Sequence, residues 1–202
     1  MYVPAAPPPA LTMLLAGLSM EGAERLLDAY RVAAEAHRGQ LRDEGTPYIE
    51  HPVRVAQILW SELGVRDVEV LIAALNHDVL EDCGLDESFM ASKYGARVAE
   101  LVTHVTKQPA AAEHAAARDD TYLAALRAAP RDARLLKLAD RIDNLRSVPI
   151  ANDPAKAERY LRVSRAEFLP LALVTDPSAE RLIAEACDAV ETYLRVSGWI
   201  DM

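Results

Sequence analysis

Cysteine is scarce in this chain of 202 residues, with only Cys83 and Cys187, and aromatic residues make up 5% of it. Two thiols cannot supply a disulfide framework, and they fit a reducing cytoplasm. Few aromatics beside abundant Ala and Leu favour helices over sheets, so the expected class is all-α. No run approaches the ~20 consecutive apolar residues of a membrane span. The N-terminal stretch MYVPAAPPPALTMLLAGL has no basic segment ahead of its short, interrupted apolar run. It reads as a Pro-rich tail over residues 1–20 rather than a signal peptide. Basic residues are outnumbered, 22 against 31 acidic, for a formal net charge of −9. That balance argues against nucleic acid or an anionic membrane as the main partner, while a bound cation or a local basic cluster can still attract a small anion.

What the chain does have is helical periodicity almost throughout, broken at Pro, Gly and Asp. Its length suits one domain, placed at residues 21–202, and shows neither a repeat nor a linker. Leu26, Leu27, Tyr30, Ala33 and Ala36 are spaced for one buried face of a helix over 21–36. The segment GQLRDEGTPYIEHP is loop-like, and His51-Pro52 opens a helix reaching Leu63. Asp67 is placed to cap a helix from Val68 to about Leu80, and Asp86 one ending near Tyr94-Gly95. A further helix runs to Val105. The Ala-rich stretch 109–118 reads as a loop before a helix starting at Asp119 or Asp120. Pro130 restarts a helix through RDARLLKLADRIDNLRSV, and amphipathic helices near 153–174 and 177–196 follow.

Within LIAALNHDVLEDC, residues 71–83, an apolar run places a histidine and three carboxylates in the six positions from His77 to Asp82. Charges on a buried face need a partner. As a helix, this segment pairs His77 with Glu81 and Asp78 with Asp82 at i, i+4. The segment KLADRIDNL repeats the anomaly, because Asp140 and Asn144 are four apart among Leu136, Ala139, Ile142 and Leu145. His51 is the remaining candidate. Two imidazoles and two carboxylates around one ion suit Mn²⁺, Fe²⁺ or Zn²⁺, which lowers the pKa of a water and polarises a phosphoryl oxygen. Taken singly, these residues have plainer readings: His51 as a helix-terminal surface residue, His77-Asp78 as a satisfied polar kink, Glu81-Asp82 as a solvated helix end, Asp140-Arg141 as an ion pair. His37, Arg38 and Gln40 stand where a helix C-terminus attracts cations in any case. Cys83 follows two acids that raise its pKa, so a nucleophilic thiol is not expected.

His51, the His77-Asp78 doublet and Asp140 resemble the H…HD…D signature of HD-domain metal-dependent phosphohydrolases. More specifically, HRGQLRDEGTPYIEHPVRVAQIL, HDVLED, YGARVAELVTHVTK and LLKLADRIDNLRS resemble the hydrolase domain of RelA/SpoT homologues, over about residues 28–148. With no sequence left for a synthetase domain, the chain resembles the small alarmone hydrolases. The resemblance implies an HD-domain helical bundle and Mn²⁺-dependent removal of the 3′-pyrophosphate from ppGpp and pppGpp, with a small anionic nucleotide as substrate; the sequence itself leaves a homo-oligomer open. It also implies His51, His77, Asp78 and Asp140 as metal ligands, and Glu81, Asp82 and Asn144 around the attacking water and substrate. Arg42 matches a substrate-contacting base; Lys107 lies in the VTK match and Ser147 where a threonine often touches substrate.

Asp43 departs from the pattern, standing where relatives commonly have a second basic residue. A carboxylate there either points away or meets another group, such as a base N–H donor, and so bears on substrate choice. Asn76 before the doublet and Cys83 are further departures. His104 and His114 lie in the interval where two-metal HD proteins recruit extra histidines, although the closer resemblance is to single-metal members. Two alternatives accompany the alarmone reading: the same metal chemistry on an adenosine alarmone, NADPH or another nucleotide, and a non-catalytic nucleotide sensor, for which a lost ligand or acid would be the sign.

Overall fold

The computed structural model describes residues 7–108, 111 and 114–200, and among them the only β pairing is an isolated bridge between Leu41 and Pro47. The helices are α1 (Pro9–Ala16), α2 (Met20–Ala36), α3 (Glu50–Ser61), α4 (Val68–Leu75), α5 (Val79–Asp82), α6 (Glu87–Tyr94), α7 (Ala96–Val105), α8 (Ala115–Ala128), α9 (Arg131–Ala151), α10 (Pro154–Val163), α11 (Leu169–Leu173) and α12 (Pro177–Val196). Five of them start at a side chain that accepts a first-turn amide hydrogen: Ser19, Asp67, Asp86, Asp153 and Asp176. Such a cap satisfies N–H groups that the helix itself leaves without partners. The fold is all-α, as composition implied.

At the centre lies α9, against which α3, α7, α10 and α12 pack, while α4 packs on α2, α3 and α7. Leu136, Ala139, Ile142 and Leu145 of α9 are fully buried. One apolar cluster runs from Leu11 to Leu194. No helix among the described residues is long and apolar enough to cross a membrane.

Four sequence expectations need correction. The stretch placed in a tail contains α1, whose Leu11 and Leu14 are buried in the core; proline at a first-turn position suits a helix start rather than preventing one. Gly17 follows, and any Cβ there would collide with the Trp60 ring, so this docking needs glycine. Residues 1–6 lie outside the described residues. The Ala-rich stretch was expected as loop to 118, yet α8 begins at Ala115, because alanine is the strongest helix former; residues 109–110 and 112–113 lie outside the described residues. The single helix expected over 153–174 is divided by a π-helical turn, Ser164–Phe168. Pro170, lacking an N–H, cannot continue the regular ladder from α10, and the wider turn carries the chain past it.

The fourth correction concerns the motif itself. The helix from Val68 stops at Leu75 instead of reaching Leu80, and α5 is one turn starting at Val79. Buried Asn76 stops it: its backbone N–H bonds to Ala73 O, and its side-chain amide takes the Ile72 carbonyl at 3.0 Å, which a continuing backbone N–H would have used. His77 and Asp78 therefore sit in a break between two helices.

Candidate active site

The break aims His77 and Asp78 at the same space as His51, in the first turn of α3, and Asp140, in the middle of α9. His51 Nε2 is 3.6 Å from Asp78 Oδ2 and 3.3 Å from Asp140 Oδ1. His77 Nε2 is 3.0 Å from Asp78 Oδ2 and 3.7 Å from Asp140 Oδ1. Both imidazoles are buried.

Hydrogen bonds on the far ring nitrogens determine what each histidine offers this space. His77 Nδ1 lies 2.8 Å from the Ala74 carbonyl, which can only accept, so this nitrogen carries the proton. Its Nε2 is buried with no hydrogen-bond partner. His51 Nδ1 lies 2.6 Å from Asp143 Oδ2 and donates to it. Asp143 in turn takes both arms of Arg54, Nε to Oδ1 at 2.7 Å and Nη2 to Oδ2 at 3.1 Å. Burial disfavours the Asp143 carboxylate, but the His51 and Arg54 hydrogen bonds outweigh it and hold its pKa below the usual range. Two imidazole lone pairs thus face two carboxylates, an arrangement that repels itself unless a cation or proton lies between. Without a metal ion, burial opposes a charged His77, yet the Asp78 and Asp140 carboxylates win and push its pKa up to about 10. Atoms of His51, His77 and Asp78 lie within 4.8 Å of one another. The donor set, N₂O₂ with each imidazole oriented from behind by an acceptor, fits a divalent metal ion.

Around the cluster is a cavity of about 310 Å³ lined by Leu41, Arg42, Asp43, Tyr48, Glu81, Asp82, Lys107, Lys137, Arg141, Asn144, Lys156 and Tyr160 besides His51, Asp78 and Asp140. Its hairpin wall is set by Gly45, whose φ of +82° allows the turn that returns the chain, with Arg42 N–H bonding to Thr46 O at 2.9 Å. The hairpin delivers Arg42, whose Nη2 donates to Asn144 Oδ1 at 2.9 Å, while the Asn144 amide donates to Asp140 Oδ1. From the same segment the Tyr48 hydroxyl lies 2.7 Å from Asp78 Oδ2 and 3.0 Å from Asp82 Oδ2. Burial first, and then both carboxylates, raise the Tyr48 pKa, so the hydroxyl keeps its proton. Glu81 accepts the Lys107 backbone N–H at 3.0 Å. Lys137 Nζ lies 2.7 Å from Asp140 Oδ2, and that ammonium, with the two imidazoles, keeps the buried Asp140 pKa well below normal against the desolvation that raises it.

Ten of the eleven sequence-derived site residues meet at this cavity or its floor. Ser147 does not. It is buried behind α9, where its hydroxyl donates to Asp143 O at 2.9 Å beside Arg54, and it lines a separate cavity with Glu44, Glu62 and Arg146. It stands two turns along α9 from Asp140, where Asp143 and Arg54 are its neighbours. Asp43 engages neither solvent alone nor a bare pocket; it pairs with Lys156 of α10. The i, i+4 pairing of His77 with Glu81 is lost at the helix break, although Asp78 and Asp82 stay within one turn, Asp82 N–H bonding to Asp78 O at 2.8 Å. His104 and His114 are exposed and outside the cluster. His37 is buried, stacked on Tyr48 with ring centroids 4.5 Å apart and 3.3 Å from Cys83 Sγ. Burial and Asp82 push the Cys83 thiol up to about 11.

Sequence reasoning missed Tyr48, Arg54, Lys137 and Asp143. Asp143 and Lys137 carried a signal, since both are charged and stand three residues from Asp140 in an apolar helix. Tyr48 and Arg54 had none beyond lying within three residues of His51.

The combination of an HD doublet in a helix break, a histidine from one helix and an aspartate from another defines the metal-dependent HD class. A family model described as HD domain matches residues 29–173, and the chain belongs to that family. Particular relatives narrow this. The chain is 41% identical over 125 residues to guanosine-3′,5′-bis(diphosphate) 3′-pyrophosphohydrolase MESH1 of Danio rerio, covering 61% of this chain and 68% of the relative. It is 40% identical over 153 residues both to a Vibrio cholerae guanosine-3′,5′-bis(diphosphate) 3′-pyrophosphohydrolase and to the Escherichia coli bifunctional (p)ppGpp synthase/hydrolase SpoT. These alignments cover 74% of this chain but 21% of each long relative, so the chain spans about a fifth of their length. The solved structure of a metazoan orthologue of SpoT that hydrolyses ppGpp superposes with a TM-score of 0.70 at 26% identity, covering 87% of this chain and 97% of that one.

Proposed function

We propose that the chain is a metal-dependent 3′-pyrophosphohydrolase of guanosine alarmones, converting ppGpp or pppGpp to GDP or GTP and pyrophosphate. The observation that carries the reading is the buried, unbonded Nε2 of His77 facing His51, Asp78 and Asp140 on the floor of a cavity walled by Arg42, Lys107, Lys137, Arg141 and Lys156. His51, His77, Asp78 and Asp140 would hold the ion, with Mn²⁺ our assignment and Fe²⁺ or Zn²⁺ chemically compatible. When bound, the ion supplies Lewis-acid activation of water and of a phosphoryl oxygen.

Glu81 is the general base: one oxygen is fixed by the Lys107 amide, and its Oε1, which has no hydrogen bond among the described residues, takes the proton of the attacking water. Asp82 is restrained by Tyr48 and assists from the other side. Asn144 positions Arg42 through its carbonyl and Asp140 through its amide, so the guanidinium is presented to a substrate phosphate. Lys107 and Lys137 offset phosphate charge as it develops. Water attacks the phosphorus on the ribose 3′-oxygen, the bond from that phosphorus to the 3′-oxygen breaks, the 3′-oxygen leaves and takes up a proton, and pyrophosphate carrying the water's oxygen is released beside GDP or GTP.

Incubating metal-loaded protein with guanosine alarmones, adenosine alarmones and NADPH, with products resolved by chromatography, tests this. Release of pyrophosphate from ppGpp at the highest kcat/KM is expected. Orthophosphate as the product, or preference for NADPH, would replace the assignment.

A further inference from the structure

Five cations line the cavity, and they differ in how they are committed. Lys137 is tied to buried Asp140, its side chain only 12% exposed. Lys107 pairs with Asp119, outside the cavity, and Arg42 is bonded to Asn144 with Glu44 3.7 Å from its Nε. Arg141 lies over the rings of Tyr160 and Phe168, at 4.8 and 4.1 Å. Lys156 is different. Among the described residues it is the one cavity cation whose acid, Asp43, itself lines the cavity and is more than half exposed, at 57% of its side chain. The pair bridges the hairpin and α10, and the ammonium also lies 5.5 Å from the Tyr160 ring centroid. Lys156 is bonded to none of the four cluster residues.

An ion pair this open to solvent is weakly held. A phosphate group carries more charge than a carboxylate and offers more acceptor oxygens, so a nucleotide entering the cavity outcompetes Asp43 for the ammonium. The group undergoing hydrolysis must lie at the His/Asp cluster, which Lys156 does not touch. Its ligand is therefore the other phosphate group of the nucleotide. Resting on the alarmone reading above, we propose that Lys156 is a specificity-determining residue that binds the 5′-phosphate group of the substrate, and that Asp43 is an internal stand-in for that anion, holding the ammonium in the cavity until the nucleotide displaces it. The acid at position 43 thus reads charge at the 5′ end rather than the base edge.

Calorimetric binding of GDP and of guanosine to the metal-loaded protein tests this without turnover, using Lys156→Met, Asp43→Asn and the double variant, with thermal melts to confirm folding. Lys156→Met should weaken GDP about five- to tenfold and leave guanosine within about twofold, the pattern of a lost phosphate contact. Asp43→Asn should tighten GDP by about threefold or more, and only while Lys156 is present. In hydrolysis of ppGpp the Lys156→Met loss should fall on KM rather than kcat. GDP affinity unchanged in Lys156→Met, an Asp43→Asn effect of equal size without Lys156, or no GDP binding by the unaltered protein would each overturn the proposal. Failure of the unaltered protein to hydrolyse ppGpp while GDP binding follows the expected pattern would instead remove the proposed reaction and leave the phosphate contact standing.

Discussion

Two cavities flank the Asp140 to Ser147 stretch of α9, and their charged residues are wired differently. In the rear one each charge has its opposite: Asp143 with Arg54, Glu62 with Arg146 at 2.7 and 2.8 Å. In the front one lone pairs of His51 and His77 converge with Asp78 and Asp140 oxygens, and the buried Nε2 of His77 has no hydrogen-bond partner among the described residues. Both contain carboxylates and guanidinium groups, but imidazole faces only the front one. What separates the supporting network from the candidate site is the convergence of two imidazole lone pairs on two carboxylates, an incomplete pairing that is costly unless a cation completes it.

The sharpest break of this comparison is Asp140→Ala, which removes an oxygen from the incomplete set. Metal content by elemental analysis should fall well below stoichiometric, and hydrolysis should drop to background; stoichiometric metal in this variant would show the cluster is not the metal site. Glu81→Gln comes next. It should retain metal while losing on the order of 10²- to 10⁴-fold in kcat, the usual contribution of a general base. If turnover survives, Asp82 takes that role.

The rear network reaches the front through Glu44, which lies 3.7 Å from Arg42 Nε and 3.6 Å from Arg54 Nη2, and reaches the His/Asp cluster through the Asp143–His51 bond. Asp143→Asn should therefore lower metal affinity by about 10- to 100-fold, as changes behind a metal-binding histidine do, while the four proposed ligands remain. A metal titration measures this, and unchanged affinity would show that Asp143 does not act on the cluster through His51.

Proton linkage sharpens the contrast further. In chelated protein the His77 pKa is raised from 6.5 in the unfolded chain to about 10, so the stability it contributes is complete below about 6.5 and is lost as pH rises towards 10. The melting temperature of chelated protein should decline across that window, and metal-loaded protein, whose ion takes the place of the proton, should decline less. Equal slopes would argue against a cation at the cluster. The smallest effect is expected for Ser147→Ala: a stability loss of about 1 kcal/mol from one hydrogen bond, with kcat/KM within about twofold. A large loss of substrate affinity would return Ser147 to the front cavity.

Much of this was legible in the sequence for identifiable reasons. Asp67 and Asp86 announced their helices because a capping carboxylate acts on its own next turn. His51, His77, Asp78 and Asp140 stood out as polar residues against apolar periodicity. Supports were harder to see. Arg54 and Asp143 are 89 residues apart and acquire meaning only when α3 lies on α9. The α1 helix was obscured by proline-rich composition, since burial of Leu11 and Leu14 depends on tertiary contacts. Asp43 was readable as a departure, but not its partner, which stands 113 positions away.

The stop at Asn76 has a consequence for how such a motif should be read and reused. Histidine and aspartate in succession are two letters, and on an unbroken helix adjacent residues project about 100° apart, away from a common point. Here the instruction is three letters long, because the amide that occupies the Ile72 carbonyl turns the two letters after it in one direction. Grafting the doublet alone onto a straight helix would transfer the spelling and not the meaning. A designer copying this centre would have to copy the punctuation first.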